Sequence, residues 1–394
     1  MATYVGDRIY AYKDPEAALV TLYTTTTDLA TGLNLYDNTG TDTGELVGTV
    51  VQTDSFNLAT PHVTVDYMTT NDTTGRYAFA VSENYLCAYA TNNIYLYSIS
   101  NSTPTLTNTY AYGVINRYND YQSTNDKMVF EAFNTSNKTT NKLAFTPATG
   151  TLAVEQSVTL SASGTVSSSV GCTNTGIIQQ TGSGSLTSLS YTLYLNNSSI
   201  ASGLSSSSQG LAQTEDDSYL VTQSDGNVYK ITSSGITQEA ILTNPLAFQY
   251  YYSQYNVFYK NGYIYYATSD TSANLIGKRA VNDLDTVICN YTAEANMVVR
   301  IIGEINGYIY AIYRPSSVST SSVIKLLVLR SRDLSLVSEQ VLPNDPFNLY
   351  SGNATFWVNP VIVAQSSKTG YLAVSSYNTS SKRFMVVRIK QELY

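Results

Sequence analysis

The sequence predicts an all-β chain: a seven-bladed β-propeller, with a six-bladed ring as the alternative, preceded by a small β-rich module. Three observations lead there. A short apolar-aromatic phrase returns along most of the chain. Strand-forming and turn-forming residues dominate the composition. Sustained helical periodicity is missing.

The phrase reads Tyr85-Leu86-Cys87-Ala88-Tyr89, then Met128-Val129-Phe130-Glu131-Ala132-Phe133, then Gly176-Ile177-Ile178. It returns as Tyr219-Leu220-Val221, Tyr263-Ile264-Tyr265-Tyr266, Tyr308-Ile309-Tyr310-Ala311 and Tyr371-Leu372-Ala373-Val374. Most returns fall roughly 42–48 residues apart, the length of one four-stranded blade. The last gap, about 60 residues, leaves room for one loop insertion. Only 13% of the residues are charged, well below the usual quarter. Ser, Thr, Asn, Gly and 35 tyrosines fill the difference, a mixture suited to many short strands joined by tight turns.

Residues 1–72 lie outside the repeat and are read as the separate module. Five runs are expected to form strands there: Arg8–Tyr12, Leu19–Tyr23, Leu33–Tyr36, Leu46–Val51 and His62–Tyr67. The segment Asp37–Gly44 is a dense turn signal. Asp14-Pro15 suits either the first turn of a helix or a loop. The polar stretch Thr69–Gly75 marks the boundary, and residues 73–394 form the propeller.

Within each repeat the phrase is followed by a turn, such as Thr91-Asn92-Asn93 or Asp225-Gly226-Asn227. A second strand comes next, such as Ile94–Ile99, Tyr191–Leu195 or Val323–Leu329, and several units add a third, such as Leu152–Glu155 or Leu334–Val337. The unit near Gly176 reads as the weakest, interrupted at Gly182-Ser183-Gly184. A propeller must close its ring, and Tyr77–Val81 is expected to complete the final blade.

A net charge of −8 with scattered Lys and Arg argues against nucleic acid, whose binding rests on many phosphate contacts. No apolar run reaches membrane-spanning length. Of the three cysteines, Cys87 and Cys289 are expected to be buried and Cys172 to lie in a Gly-rich, exposed turn. No paired Cys-His pattern suggests a metal, and no cofactor motif occurs. Asp37, Thr39, Asp42 and Glu45 lack the spacing of a calcium loop. The N-terminus lacks the apolar core of a signal peptide, although the composition is of an extracellular kind. A virion location reconciles the two; a secreted or cell-surface location is the alternative.

The repeated phrase and its period resemble propellers of the kelch and WD40 kind in architecture. The sole tryptophan, Trp357, is followed by Val358 rather than Asp, and the kelch double glycine is missing, so neither family's function is implied. The stretch Leu22–Thr27 followed by Gly32-Leu33-Asn34-Leu35-Tyr36-Asp37-Asn38-Thr39-Gly40 resembles small N-terminal β modules of tailed-phage virion proteins. That resemblance covers under a fifth of the chain. It implies attachment to a larger assembly through other virion or surface proteins.

For catalysis, His62 is the only histidine, and a triad needs both a base and a group to orient it. Glu215, Asp216 and Asp217, or Asp283 and Asp285, are the candidate paired acids of a glycan hydrolase or lyase. A solvated loop for the first group and a turn within a blade for the second account for them better, because catalytic carboxylates need a shielded pocket to separate their pKa values, so no catalytic residue is expected. The recognition candidates are Tyr250, Tyr251, Tyr252, Tyr255 and Asn256, because aromatic faces stack on sugars and amides take their hydroxyls. The alternative is that tyrosines fill blade cores. The loop bearing Phe347 and Tyr350, with Trp357 nearby, is the candidate protein contact. The expected function is a non-enzymatic virion-associated platform, a phage tail or capsid accessory, with a structural or host-recognition role; the alternatives are a secreted or surface carbohydrate-binding lectin or adhesin, or a glycan hydrolase or lyase using acids in the propeller funnel.

Overall fold

The computed structural model of the chain describes residues 2–5, 8–11, 34–37, 46–49 and 62–69, most of residues 77–342, and residues 369–375 and 383–390. Every regular element among them is a strand. Strands β1 (Ala2–Val5), β2 (Arg8–Ala11), β3 (Asn34–Asp37) and β4 (Leu46–Thr49) form one sheet in chain order. Its central pair, β2 with β3, is parallel. Leu19–Tyr23, Asp14-Pro15 and residues 38–44 of the turn lie outside the described residues. Strand β5 (His62–Thr69) belongs to another sheet.

Six four-stranded antiparallel blades follow, each also in chain order. The first holds β6 (Tyr77–Val81), β7 (Tyr85–Ala90), β8 (Asn93–Ser98) and β9 (Thr105–Tyr110). The second holds β10 (Val114–Asn119), β11 (Met128–Asn134), β12 (Thr139–Thr146) and β13 (Thr151–Thr159). The third holds β14 (Val166–Cys172), β15 (Ile177–Ser185), β16 (Ser188–Leu195) and β17 (Ser198–Leu204). The fourth holds β18 (Ser208–Gln213), β19 (Tyr219–Gln223), β20 (Asn227–Thr232) and β21 (Gly235–Ile241). The fifth holds β22 (Val257–Lys260), β23 (Tyr263–Ala267), β24 (Leu275–Ala280) and β25 (Cys289–Thr292). The sixth holds β26 (Met297–Ile305), β27 (Tyr308–Pro315), β28 (Ile324–Arg330) and β29 (Leu336–Leu342). The repeated phrase is the second strand of every blade, so each blade begins one strand before it. First strands of neighbouring blades approach one another, β14 with β18 and β18 with β22, and therefore lie innermost.

The seventh phrase falls on β30 (Thr369–Ser375), which pairs with β31 (Arg383–Lys390). The third strand of this sheet is β5, antiparallel to β31 along its whole length, from Arg383 opposite Thr69 to Lys390 opposite His62. Strand β30 also meets β26 on one side and β6 on the other, which closes the ring. The chain is thus a propeller of six complete blades, with a three-stranded sheet at the seam. Closure does join the two ends of the chain, but through a different strand from the one expected. Tyr77–Val81 is the innermost strand of the first blade, and His62–Tyr67, read above as part of the module, supplies the pairing. Pairing there covers an edge of β31 that would otherwise stay open.

A register shift recurs in the first strands. It falls between Ala78 and Ala80, Ser169 and Gly171, Gly210 and Ala212, and Ile301 and Gly303. The extra residues, Phe79, Val170, Leu211 and Ile302, are all buried. Such a bulge sharpens the local twist and re-aims a side chain that alternation would place elsewhere. Phe79 thereby meets Phe130 of the second blade edge-on, with ring centroids 4.9 Å apart.

Glycines recur where neighbours come close. A Cβ on Gly171 would lie 2.2 Å from the Tyr219 ring, and one on Gly210 would lie 2.3 Å from the Val170 carbonyl oxygen. Tyr219 of the fourth blade thus packs flat over both inner strands. Gly182-Ser183-Gly184 does not interrupt its unit, because β15 runs straight through to Ser185. Gly182 is small because Val166 and the Tyr191 ring occupy the space a side chain would need. Cys172 is fully buried in β14 rather than exposed in a turn. Cys87 is buried as expected, whereas Cys289 is half-buried, and the preceding Val287 and Ile288 are exposed.

Candidate functional site

The recognition candidates Tyr250, Tyr251, Tyr252, Tyr255 and Asn256 lie outside the described residues, as do Phe347, Tyr350 and Trp357. So does Glu215, and of His62 only the backbone, in β5, is described. Many described tyrosines fill blade cores: Tyr89, Tyr97, Tyr219, Tyr265, Tyr266, Tyr308 and Tyr310 are all buried. A stacked, partly exposed aromatic pair does occur at the end of the first blade, packed on its outer side against the core cluster of the first two blades. Tyr110 and Tyr112 are half-buried and stacked, with centroids 5.2 Å apart and planes 19° from parallel. The exposed Asn108 amide donates to the Tyr110 hydroxyl at 3.0 Å. Sequence reasoning missed this pair because two tyrosines spaced by one residue look like any other strand.

The acids before β19 are engaged in holding turns. Asp216 accepts hydrogen bonds from Thr214 Oγ1 and Ser218 Oγ and pairs with Lys230, each at 2.6 Å. Those three donors, Lys230 foremost, hold its carboxyl well below the usual carboxylate range. Asp217 sits at a positive φ of 58°. Its carboxylate accepts from the Asn174 backbone N–H at 2.7 Å and from the Gln213 amide at 3.0 Å. It therefore ties the fourth blade to the turn of the third. Asp283 occupies a turn within the fifth blade, bridged to Ala280, and accepts from the Thr286 N–H at 3.3 Å. A general acid and its partner need environments that separate their pKa values, whereas the Asp216 surroundings stabilise the ionised form.

A deeply buried acid is Glu304, near the end of the inner strand β26 and 4% exposed. One oxygen, Oε1, accepts from the Gly307 N–H at 2.6 Å and caps the β26–β27 turn. Ser82 and Thr173 do the same in the first and third blades with a hydroxyl, accepting from Tyr85 and Gly176. Glu304 thus carries a second oxygen that the cap does not need. That Oε2 has no hydrogen-bond partner and lies 3.9 Å from Lys260 Nζ at the end of β22. Burial raises the carboxyl pKa, and Lys260 and the Gly307 N–H oppose the rise only in part. Nearby, Tyr265 donates to the Ser331 carbonyl at 3.0 Å, which Lys278 also reaches at 3.0 Å. Among the described residues no group of three or more His, Cys, Asp or Glu could hold a metal ion.

No family model matches the chain, and no curated protein matches it. Several solved structures align with it over much of its length. The WD40 domain of SCAP from fission yeast is 10% identical, aligns over 80% of this chain and 84% of its own, and has a TM-score of 0.35. BamB from Moraxella catarrhalis is 10% identical over 84% of this chain and all of its own, with a TM-score of 0.35. A functionally unknown protein from Desulfotomaculum acetoxidans is 11% identical over 79% of this chain and 94% of its own, with a TM-score of 0.40. None of these carries a ligand, partner or activity over to this chain.

Proposed function

We propose that the chain is a non-enzymatic propeller platform, carried in a larger assembly of the virion-accessory kind and attached through residues before β5. The observation that carries this reading is the seam. Because β5 is the outer strand of the closing sheet, the described chain enters the ring at its rim. The propeller can then be a complete body while the segment before β5 engages another protein. The polar side chains that dominate the composition hold blades together, as Asp217 does, which favours a rigid scaffold over a reaction centre.

The platform's recognition role is assigned to partly exposed aromatic and exposed amide groups, with glycans as the ligand class. Tyr110, Tyr112 and Asn108 support it among the described residues. Tyr250, Tyr251, Tyr252, Tyr255 and Asn256 remain candidates, and the Phe347, Tyr350 and Trp357 segment remains the candidate protein contact. The test is a glycan-array and host-cell binding assay on the full chain, beside a chain lacking residues 1–58. Saturable binding by both, reduced at least tenfold by Tyr110→Ala with Tyr112→Ala, supports recognition by the ring. Release of cleaved glycan would contradict the non-enzymatic reading. Full assembly of the shortened chain into its particle would contradict the attachment role.

A further inference from the structure

Lys260 and Glu304 are an ion pair between blades. The pairs Lys127–Glu155, Lys230–Asp216 and Lys325–Glu339 each lie within one blade, and their acids are 30–56% exposed. Lys260 ends β22 of the fifth blade, whereas Glu304 lies on β26 of the sixth, with its side chain only 5% exposed. The backbone aims the two at each other. Ile301 packs in the apolar cluster shared with the fifth blade, so simple alternation would turn Glu304 the other way. The register shift at Ile302 reverses this and sets Glu304 opposite Ile309, a member of the same cluster. On the fifth blade, Lys260 is opposite Tyr263, which packs against that cluster too.

The two ends of the pair differ in freedom. Glu304 is fixed, because it is buried and its Oε1 accepts from the Gly307 N–H at 2.6 Å. Lys260 is partly exposed on a long stem. Its Nζ stands 3.9 Å from Oε2, beyond hydrogen-bond length, and Oε2 has no hydrogen-bond partner. The other ionisable groups on the strands around β26 are engaged elsewhere or are phenols. On β24, Lys278 donates to the Ser331 and Arg332 carbonyls, and Arg279 to the Tyr266 hydroxyl and the Leu284 carbonyl. On β23, Tyr265 donates to the Ser331 carbonyl and Tyr263 lies beneath the Lys278 ammonium. Tyr259 of β22, Tyr308 and Tyr310 of β27 and Tyr371 of β30 stay neutral where a carboxyl titrates.

We propose that Lys260 and Glu304 form a proton-operated latch between the fifth and sixth blades. While the carboxyl holds its proton, it offers the ammonium no charge and the pair stays apart. When the proton leaves to solvent, the buried carboxylate draws Lys260 the short remaining distance into a charge-assisted hydrogen bond. Acid releases that bond. Burial keeps the proton on above the ordinary glutamate range, and Lys260 and the Gly307 N–H work against it. The latch therefore turns over at a higher pH than exposed glutamates do.

The experiment is carbon-13 NMR of the full chain, labelled at the glutamate carboxyl carbon and the lysine ε-carbon and followed against pH. Glu304→Gln and Lys260→Met assign the two signals. The Glu304 carboxyl is expected to titrate above the exposed glutamates, and the Lys260 signal to move at the same pH. In Glu304→Gln that movement of Lys260 is expected to vanish. In Lys260→Met the Glu304 midpoint is expected to rise by about one pH unit or more, the effect of removing a nearby cation. Lys260→Arg keeps the charge and should leave the midpoint near that of the parent chain. A Lys260 signal indifferent to the Glu304 titration would overturn the latch. So would a Glu304 midpoint that Lys260→Met leaves in place. An equal rise in Lys260→Arg would mean that packing of the stem, and not its charge, sets the midpoint, and would overturn it as well.

Discussion

At Gly171 and Gly210 the side-chain hydrogen matters because of what lies beside it. Both glycines sit beneath Tyr219, but the atoms nearest a Cβ on Gly171 all belong to the Tyr219 side chain, whereas one on Gly210 also meets the Val170 backbone. Gly171→Ala is expected to lower stability by about 1–3 kcal/mol, the usual cost of overpacking a core. Adding Tyr219→Leu should recover part of that loss. Gly210→Ala should cost as much or more and should not be recovered by the same second change. Chemical denaturation of the four variants checks both expectations. Glu304 makes a prediction of another kind. Its carboxyl holds a proton to a higher pH in the folded chain than in the unfolded one. The folded state therefore binds more protons in that interval, and stability falls as pH rises from the ordinary glutamate range through the raised value. Above that value the loss levels off. Glu304→Gln keeps an oxygen for the Gly307 cap and removes the titration, so its unfolding midpoint should lack this slope when measured against pH beside the parent chain.

At the scale of the element, the innermost strand of each blade needs polar ties as well as apolar packing. Gln180 on β15 shows how a polar residue becomes a structural one. Its amide nitrogen donates to Ser168 Oγ and to the Ser208 carbonyl, both at 3.0 Å, and its oxygen accepts from the Ser208 N–H at 2.9 Å. The third blade thereby holds the entry of the fourth blade's first strand. Gln180→Leu leaves both backbone groups of Ser208 without this partner. Leaving buried polar groups unmet costs about 1–3 kcal/mol each, so a loss of at least about 2 kcal/mol is expected from urea unfolding. The second strands were legible in the sequence because Tyr263-Ile264-Tyr265-Tyr266 and its siblings are apolar and regularly spaced. The first strands were not: Ser208–Gln213 and Val166–Cys172 are rich in Ser, Gln and Gly, and read locally as loop. The same polarity made Gly182-Ser183-Gly184 look like a break. Buried Gln179 and Gln180 escaped for this reason as well, since key partners, Thr140 and Ser208, lie on other blades.

For the whole molecule, the period of the phrase gave the propeller, and the need for closure gave the idea that the ends of the chain meet. Which strand performs the closure was not legible. His62–Thr69 and Tyr77–Val81 are both plausible strands, and nothing local to either encodes pairing with a partner about three hundred residues away. The candidate site was less legible still, because exposed aromatic residues and core tyrosines share one local pattern. The acids Asp216 and Asp217 illustrate the limit from the other side: their clustering suggested chemistry, while their contacts belong to turns and a blade joint.

The central claim is that a strand from the start of the chain completes the ring, so that the described chain enters it at the rim. Thermal unfolding of two truncations tests it most directly. Removing residues 1–58 keeps β5 and should leave the propeller's unfolding midpoint where the full chain has it. Removing residues 1–72 deletes β5, reopens the edge of β31, and should lower the midpoint by well over about 5 °C, more than a loss of 1–2 kcal/mol produces in a domain of this size. Equal midpoints for the two truncated chains would contradict closure by β5, and with it the placement of the attachment segment.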